Sequence, residues 1–558
     1  MTENQCCEKS ESDAWNNYNL FTTTTECTEE KTIEFQGKIP EWLKGNLYRN
    51  GPGSYEINND AATTFNHLFD GFAYIQKYSF DGPSQTVRFR GSFVKSRTYN
   101  ESTKNGQLMM RQFGTDPCKS IFGRFQSFFY GKDPATATDD TGVTVQMVQN
   151  ELLALTEIPV GNVLDPDTLE PVGPLVTLPF GQPKESTIMS TTTAHVMYDA
   201  KRKMTVGYSS RATKNGNFLD VVFIPEEPEE EGTKDDNDHI DKLFESDRRF
   251  VHLTTNMSER AKKYNHRIKK TTKAFRFPSN HTCYMHSASI SENYLILSEI
   301  PLHFDKFYGL WFLMSGGIAS SAFKWNGDTL PTYFRVISLD TGEQVAYIPG
   351  PAFFHFHHVN SYESGENKRK ILVDICAFDD QRIIDELHLD KLRDNIFPSG
   401  GGYLRRFELD LDGNTCSEPN ANAREPKGNH CFSYSHSLVP VQFELPRINP
   451  NFIGKPYRYV YGDRAVPGRL FDALIKLDLE TKQEVCKWEE PYTSPSEPIF
   501  VPNPDGSSGE DNGVVLSVVL DQKAKRSFLL VLDGSNFKEL ARAYLPVHIP
   551  ASFHGNFY

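Results

Sequence analysis

No apolar run in this sequence reaches the ~18 residues that a membrane-spanning helix needs, so no such helix is expected. The first residues, MTENQCCEKSESDAWNN, hold neither a basic segment nor an apolar one, and a secretory signal is not expected either. Cysteine is sparse. The nine cysteines (6, 7, 27, 118, 283, 376, 416, 431 and 486) are odd in number and scattered, and none forms a CxxC. That usage suits a reduced, cytoplasmic protein and excludes a disulfide framework or a zinc ribbon. HExxH, GxSxG, a P-loop and a GxGxxG after a strand are all missing, which removes the hydrolase and nucleotide-binding readings that rest on them. Positive charge is in deficit, with 59 basic against 73 acidic residues and a net charge of -14. No nucleic-acid partner is expected of such a chain, and no obligate protein partner is evident.

What is present describes a folded protein. Of the 558 residues 38% are hydrophobic, 12% aromatic and 24% charged, which excludes a disordered chain, a collagen and a coiled coil. Half of the net charge falls in EEPEEEGTKDDND (226–238), with eight acids and one lysine. Like charges with proline and glycine build no core, so 226–238 reads as a solvated acidic loop. Residues 1–30 read as a flexible N-terminal segment, and the length of the rest allows three or four domains or one closed all-β unit.

Short apolar and β-branched runs recur between Gly, Pro, Asn and Asp. YLILSEI (294–300), KILVDICAF (370–378), GVVLSVVLD (513–521) and SFLLVLD (527–533) are examples, and long helical periods are scarce. The pattern predicts an all-β fold of many short strands. A turn signature repeats as VLDPDTLEPV (163–172), SLDTGEQVAY (338–347), KLDLETKQEV (476–485) and VLDGSNFKEL (531–540). Each copy reads as a hairpin, of a propeller blade or of a sandwich.

Two aromatic segments, CKSIFGRFQSFFYG (118–131) and FYGLWFLMSGGIASSAF (307–323), are too short to cross a bilayer. Phe122, Phe125, Phe128 and Phe129 stand beside Lys119, Arg124 and Lys132, and Leu310, Trp311 and Phe312 form the second group. Apolar anchors ringed by basic residues suit a surface that dips into one leaflet; a buried helix is the plainer alternative.

Sixteen histidines are present, densest in FHFHHVNSYE (354–363). On a regular strand His355 and His357 face one way and His358 the other. His195 in TTTAHVMYD, His286 in YMHSASIS and His554 in ASFHGNFY stand beside strand-like runs. Neutral imidazole is a common ligand of redox-active metals, yet nothing in these separations proves convergence.

The sequence resembles the carotenoid cleavage oxygenase family, in its animal branch. The resemblance runs from about Gly37 to Tyr558 and rests on GNLYRNGPG (45–53), FNHLFDGFA (65–73), TDPCKSIFGRF (115–125), ELPRINPNFIGKPYRYVYG (444–462), PSEPIFVPNPDG (495–506) and one block around each of the four histidines. It implies a seven-bladed β-propeller capped by a helical dome, with 31–558 as one catalytic domain. It implies one Fe(II) held by His195, His286, His357 and His554, with O2 as co-substrate; the asparagine three residues on picks out His357 within FHFHH. Behind the ligands it places Glu157 on His286, Glu444 on His357 and Glu497 on His554, leaving His195 without a glutamate. Thr141 matches a position near the open side of the iron, and Cys118 is a candidate for acylation.

The implied reaction is O2-dependent cleavage of a carotenoid double bond, first of all the central 15,15' bond of β-carotene-like substrates, giving retinal. Eccentric 9',10' cleavage, cleavage coupled to isomerisation, a retinoid isomerohydrolase acting on retinyl esters, and a non-catalytic carotenoid-binding propeller are the alternatives. A substrate insoluble in water implies peripheral membrane contact of a cytoplasmic protein. The chain departs from the family pattern where AHVMYD replaces AHPHYD and TEIP replaces TETN, beside His195 and Glu157.

Overall fold

The computed structural model describes residues 17–117, 138–176, 187–227, 257–305, 322–419, 435–505 and 509–558. Cys118, Phe122, Phe125, Phe128, Phe129, Leu310, Trp311, Phe312 and all but the first two residues of the acidic loop lie outside them.

The four Leu-Asp turns all close antiparallel hairpins, Gly161–Leu164 with Pro171–Leu175, Thr332–Ser338 with Gln344–Gly350, Ala473–Asp478 with Gln483–Trp488, and Arg526–Asp533 with Glu539–Tyr544. Their chemistry is shared. Asp165, Asp478 and Asp533 each accept the backbone N–H two residues on, at 3.0, 2.9 and 2.8 Å. The residue four positions on is then left-handed: Leu169 (φ 63°), Lys482 (φ 58°) and Phe537 (φ 58°). In the 338–347 copy Ser338 accepts from Thr341 instead, and Gly342 takes the left-handed place at φ 73°. The same turn appears at Asp199 and Asp410, with Lys203 (φ 48°) and Asn414 (φ 51°) left-handed. A carboxylate that satisfies backbone donors at the bend is what recurs, more than the Leu-Asp pair.

The fold is mostly β, and all its strand pairings among the described residues are antiparallel. The strands form seven sheets of two to eight strands, and none of them closes on itself among the described residues. Inner strands such as Gly513–Asp521 are buried on both faces, which explains their unbroken apolar runs. Outer strands such as Gln483–Trp488 alternate buried and exposed positions. The sheet that opens the chain also ends it: Lys44–Arg49 pairs on one side with Phe72–Asp81 and on the other with Gly555–Phe557.

The flexible segment expected at 1–30 is corrected from Asn17 onward. Leu20 accepts the Ala551 N–H at 2.9 Å, Thr24 donates to Gly53 at 2.8 Å, and Cys27–Glu34 pairs with Thr86–Phe93. Unpaired strand donors at the edge of the first sheet recruit this polar stretch. Helices are few. Arg97–Asn105 and Glu259–Thr271 are the longest described, capped by Ser96 and Ser258. No helix among the described residues is long and apolar enough to cross a membrane.

Candidate metal centre

Six of the sheets, all but the two-stranded one, send a loop or strand to a single point. His195 lies between Thr187–Thr192 and Met197–Asp199, and His286 just before Ser289–Ile290. His357 is in Phe354–Ser364, and His554 immediately precedes Gly555–Phe557. Glu157 follows Glu151–Leu155, Glu444 sits in Val439–Arg447, and Glu497 lies between Thr493–Ser494 and Ile499–Pro502.

The alternation expected for FHFHH is broken. His355 pairs with Ala377, His358 with Ile375 and Asn360 with Asp374, so the strand bulges twice within six residues. The rings of His355 and His358 consequently face each other at 4.9 Å, while His357 turns away from both. A bulge re-aims a side chain in this way. Ser287 holds it: its hydroxyl donates to Phe356 O at 2.7 Å and accepts the His358 N–H at 2.8 Å. His358 itself is spent on Ser289, at 2.9 Å, and on Ser298. Asn360 grips the 452–455 loop, donating to Phe452 O and Lys455 O and accepting from Gly454.

The ligand nitrogens of His195, His286, His357 and His554 lie within 4.8 Å of one another. Nε2 separations are 2.9 Å for His195 and His286, 3.2 Å for His286 and His357, and 3.4 Å for His357 and His554. Neighbouring nitrogens that share one ion at about 2.1 Å and right angles stand about 3 Å apart, so the set fits a small divalent cation. Four converging imidazoles with no carboxylate among them suit a transition metal rather than calcium or magnesium.

Three of the rings are aimed from behind. Nδ1 of His286 donates to Glu157, Nδ1 of His357 to Glu444 at 2.6 Å, and Nδ1 of His554 to Glu497 at 2.8 Å. A carboxylate on Nδ1–H leaves the Nε2 lone pair facing the centre. His195 is held differently, by its backbone: its N–H donates to Thr193 Oγ1 at 2.9 Å, and that hydroxyl donates to His286 O at 3.0 Å. Burial pushes the His195 imidazole far down, helped by the other three rings. His554 is pushed down to about 3, again chiefly by burial, against the pull of Glu497. Both are therefore neutral, as metal ligation requires.

The three carboxylates are anchored unequally. Burial alone would raise the Glu497 carboxyl, but Arg447 and His554 outweigh it and hold it well below the ordinary range. Glu157 accepts from Tyr284 OH at 3.0 Å. Glu444 accepts the Leu445 N–H at 2.8 Å, and Leu445 is left-handed at φ 51°, a costly conformation for leucine. That bend also shifts the register before Arg447 and points Arg447 at Glu497.

The motif reading missed the residues that hold these groups in place. Arg49 and Asn50 of the RNG block clasp the His554 corner. Arg49 donates to Glu497 O at 2.8 Å and Phe553 O at 3.3 Å, and Asn50 N–H donates to His554 O at 2.8 Å. Gly555 is required there, since a Cβ would stand 2.6 Å from Tyr48 O. Thr141 is fully buried; Asn50 Nδ2 donates to its carbonyl at 2.6 Å and Asn162 to its hydroxyl at 3.1 Å. It thus reaches His554 through Asn50.

A family model described as retinal pigment epithelial membrane protein matches residues 20–558. A mitochondrial carotenoid-cleaving dioxygenase of Mustela putorius furo is 31% identical over 575 residues, covering 96% of this chain and 95% of the relative. A β,β-carotene 15,15'-dioxygenase of Gallus gallus is 29% identical over 546 residues, covering 94% of each. The crystal structure of cobalt-substituted Synechocystis ACO, an apocarotenoid oxygenase, aligns with a TM-score of 0.73 at 22% identity, over 97% of this chain and 98% of that one. That likeness bears on the fold alone. With the family model spanning nearly the whole chain, the protein belongs to the retinal pigment epithelial membrane protein family of carotenoid oxygenases.

Proposed function

We propose that the protein is a non-haem Fe(II) dioxygenase that cleaves a carotenoid double bond with O2, at the central 15,15' position of β-carotene-like substrates, to give retinal. The observation that carries the metal chemistry is the convergence of four imidazoles, three of them backed by glutamates. The carotenoid-cleaving names of the relatives support the substrate class. Bound iron supplies the spin and redox chemistry that lets O2 react with an alkene.

The chain's own residues do the rest. His195, His286, His357 and His554 hold the ion, and four neutral donors leave its 2+ charge undiminished. Glu157, Glu444 and Glu497 fix the tautomer and aim of three rings. An aromatic wall stands beside them: Phe69 meets Phe113, Phe356 and Phe553 at ring distances of 5.6, 5.6 and 5.7 Å. Phe356 and Phe553 directly precede two of the ligands, so a polyene lying on this wall is held next to the ion with water excluded. Thr141 bounds the open side through Asn50.

Six sheets reach the four histidines and their glutamates, the eight-stranded one twice, through His357 and Glu444, which supports seven blades around this point; the helical dome rests on the family resemblance. The insolubility of carotenoids supports peripheral membrane contact by a cytoplasmic protein through Phe122, Phe125, Phe128, Phe129, Leu310, Trp311 and Phe312, with Cys118 open to acylation. Liposome flotation of a Phe122→Asp/Phe125→Asp variant tests that contact, which fails if the variant floats like the parent.

The deciding experiment for the reaction incubates iron-loaded protein with β-carotene in detergent, with and without O2. O2-dependent retinal is expected. Longer apocarotenoids would move the cut to an eccentric bond, and turnover of a retinyl ester without O2 would replace cleavage by isomerohydrolysis. Bound iron with no turnover of either would reduce the protein to a carotenoid binder.

A further inference from the structure

We propose that an apolar cavity behind the His195 and Glu157 corner is a dioxygen-binding site that supplies the metal centre by a route separate from the carotenoid's; the assignment of O2 rests on the dioxygenase reading above. The cavity lies between the strands of the Glu157 sheet, those of the His195 sheet and the helix Glu259–Thr271. It has room of about 70 Å³ for the centres of water-sized molecules, several times the ~10–15 Å³ needed to seat one.

Two of its walls are continuous with the site. Thr192 and Thr193 line it, two and three residues from His195. Thr193 is the hydroxyl that joins the His195 backbone to His286, and the Thr192 N–H donates to Glu157 O at 2.8 Å. Thr156 and Ile158, on either side of Glu157, also line it. Behind His286, His357 and His554 stand carboxylates; the loop that carries His195 has this void at its back instead.

The lining favours a gas over water. Leu153, Leu155, Leu175, Val222, Ile224 and Ile268 supply its apolar surface. Five of its hydroxyls are committed to backbone carbonyls, Thr192 to Tyr208 O, Thr193 to His286 O, Tyr208 to Met285 O, Tyr264 to Val148 O and Thr272 to Ile268 O, while Thr156, Thr205 and Ser209 add three more to the lining. Most of the wall is apolar and five of its hydroxyl donors are already used, and apolar cavities admit xenon. A second route has a use, because a polyene seated on the aromatic wall obstructs its own approach path.

Xenon and O2 are the probes. Crystals of the full iron-loaded chain pressurised with xenon are expected to show xenon in this cavity, and its absence would overturn the proposal. Val222→Phe and Leu153→Phe fill the cavity from different strands, and retained metal content and melting temperature show which of them folds. In the folded variants xenon binding is expected to be lost and the KM for O2 to rise several-fold, with kcat at saturating O2 and the KM for carotenoid unchanged. Loss of xenon with an unaltered KM for O2 would sink the supply role. A parent that consumes no O2 with carotenoid would remove the dioxygenase reading and this assignment with it, while the xenon result reports on the cavity independently.

Discussion

Arg447 and Glu497 form a two-pronged ion pair, with Nε 2.8 Å from Oε1 and Nη2 3.1 Å from Oε2, so the carboxylate that aims His554 is itself aimed. Arg447 Nη2 also donates to Gly555 O at 2.6 Å, next to the ligand. A planar guanidinium matches a carboxylate in two places and fixes its plane as well as its charge.

Glu497→Gln keeps the shape of this corner and loses its charge. Affinity for Fe(II), or for Co(II) as a spectroscopic stand-in, should fall on the order of 10–100-fold. Arg447→Met should weaken metal binding in the same direction. It also leaves a buried carboxylate short of a partner, costing about 2 kcal/mol of stability; the arginine side chain is 30% exposed, which keeps the loss below that of a fully buried pair. Metal titration and denaturant unfolding read the two effects, and unchanged metal affinity in both variants would remove the corner from the site.

The three histidines of FHFHH should respond differently. His357→Ala should abolish stoichiometric metal binding. His358→Ala should retain metal but lose about 1–3 kcal/mol, because Ser289 and Ser298 are left without their buried partner. The ring of fully buried His355 has the Phe356 backbone beside it but makes no hydrogen bond of good geometry among the described residues. His355→Phe should therefore raise stability by about 1 kcal/mol with metal content unchanged. Metal analysis beside urea unfolding separates the three.

Chelation should act on the whole fold. The four ligands span positions 195 to 554 and come from four sheets, so a bound ion ties distant parts of the chain together. With free metal a hundredfold above its dissociation constant, binding adds about 2.7 kcal/mol to the folded state. A chelator should lower the melting temperature of the parent and leave that of His357→Ala unmoved. Equal shifts in both would contradict a single site at these histidines.

Asp140 sets a pH dependence away from the ligands. Burial, then Asp139 and Asp70, push its carboxyl up to about 7, although it accepts the Ala73 N–H at 3.0 Å. The folded chain holds this proton more tightly than the unfolded one. The associated stability is complete below about pH 4 and drains away as pH rises towards 7. Asp140→Asn should flatten the fall in melting temperature between about pH 4 and 7. A parent and variant that run parallel across that window would refute the assignment.

The four histidines were legible through the family blocks they lie in, since their separations alone prove no convergence. His357 is the instructive case. Periodicity pairs it with His355, the family block singles it out by Asn360, and the bulge held by Ser287 shows physically how the two are separated. The contacts of Arg49, Asn50 and Arg447 cross 50 to 504 residues of chain, and no local pattern encodes them. The turns show the opposite failing. Leu-Asp was too narrow a signature, because Asp199 follows a tyrosine and still builds the same bend with Lys203 left-handed.

The strand Gly555–Phe557 is held to Lys44–Arg49 by three residue pairs, Leu47 with Phe557, Tyr48 with Asn556 and Arg49 with Gly555. His554 is the residue at its inner end. A pulling force applied to this strand is resisted by that short ladder and by the Arg447, Glu497 and Asn50 bonds at Gly555 and His554, and once these part, His554 leaves with it. The mechanical strength of the centre is thus set at the seam where the two arms of the chain meet, and a stretching experiment should register ion release as its first event.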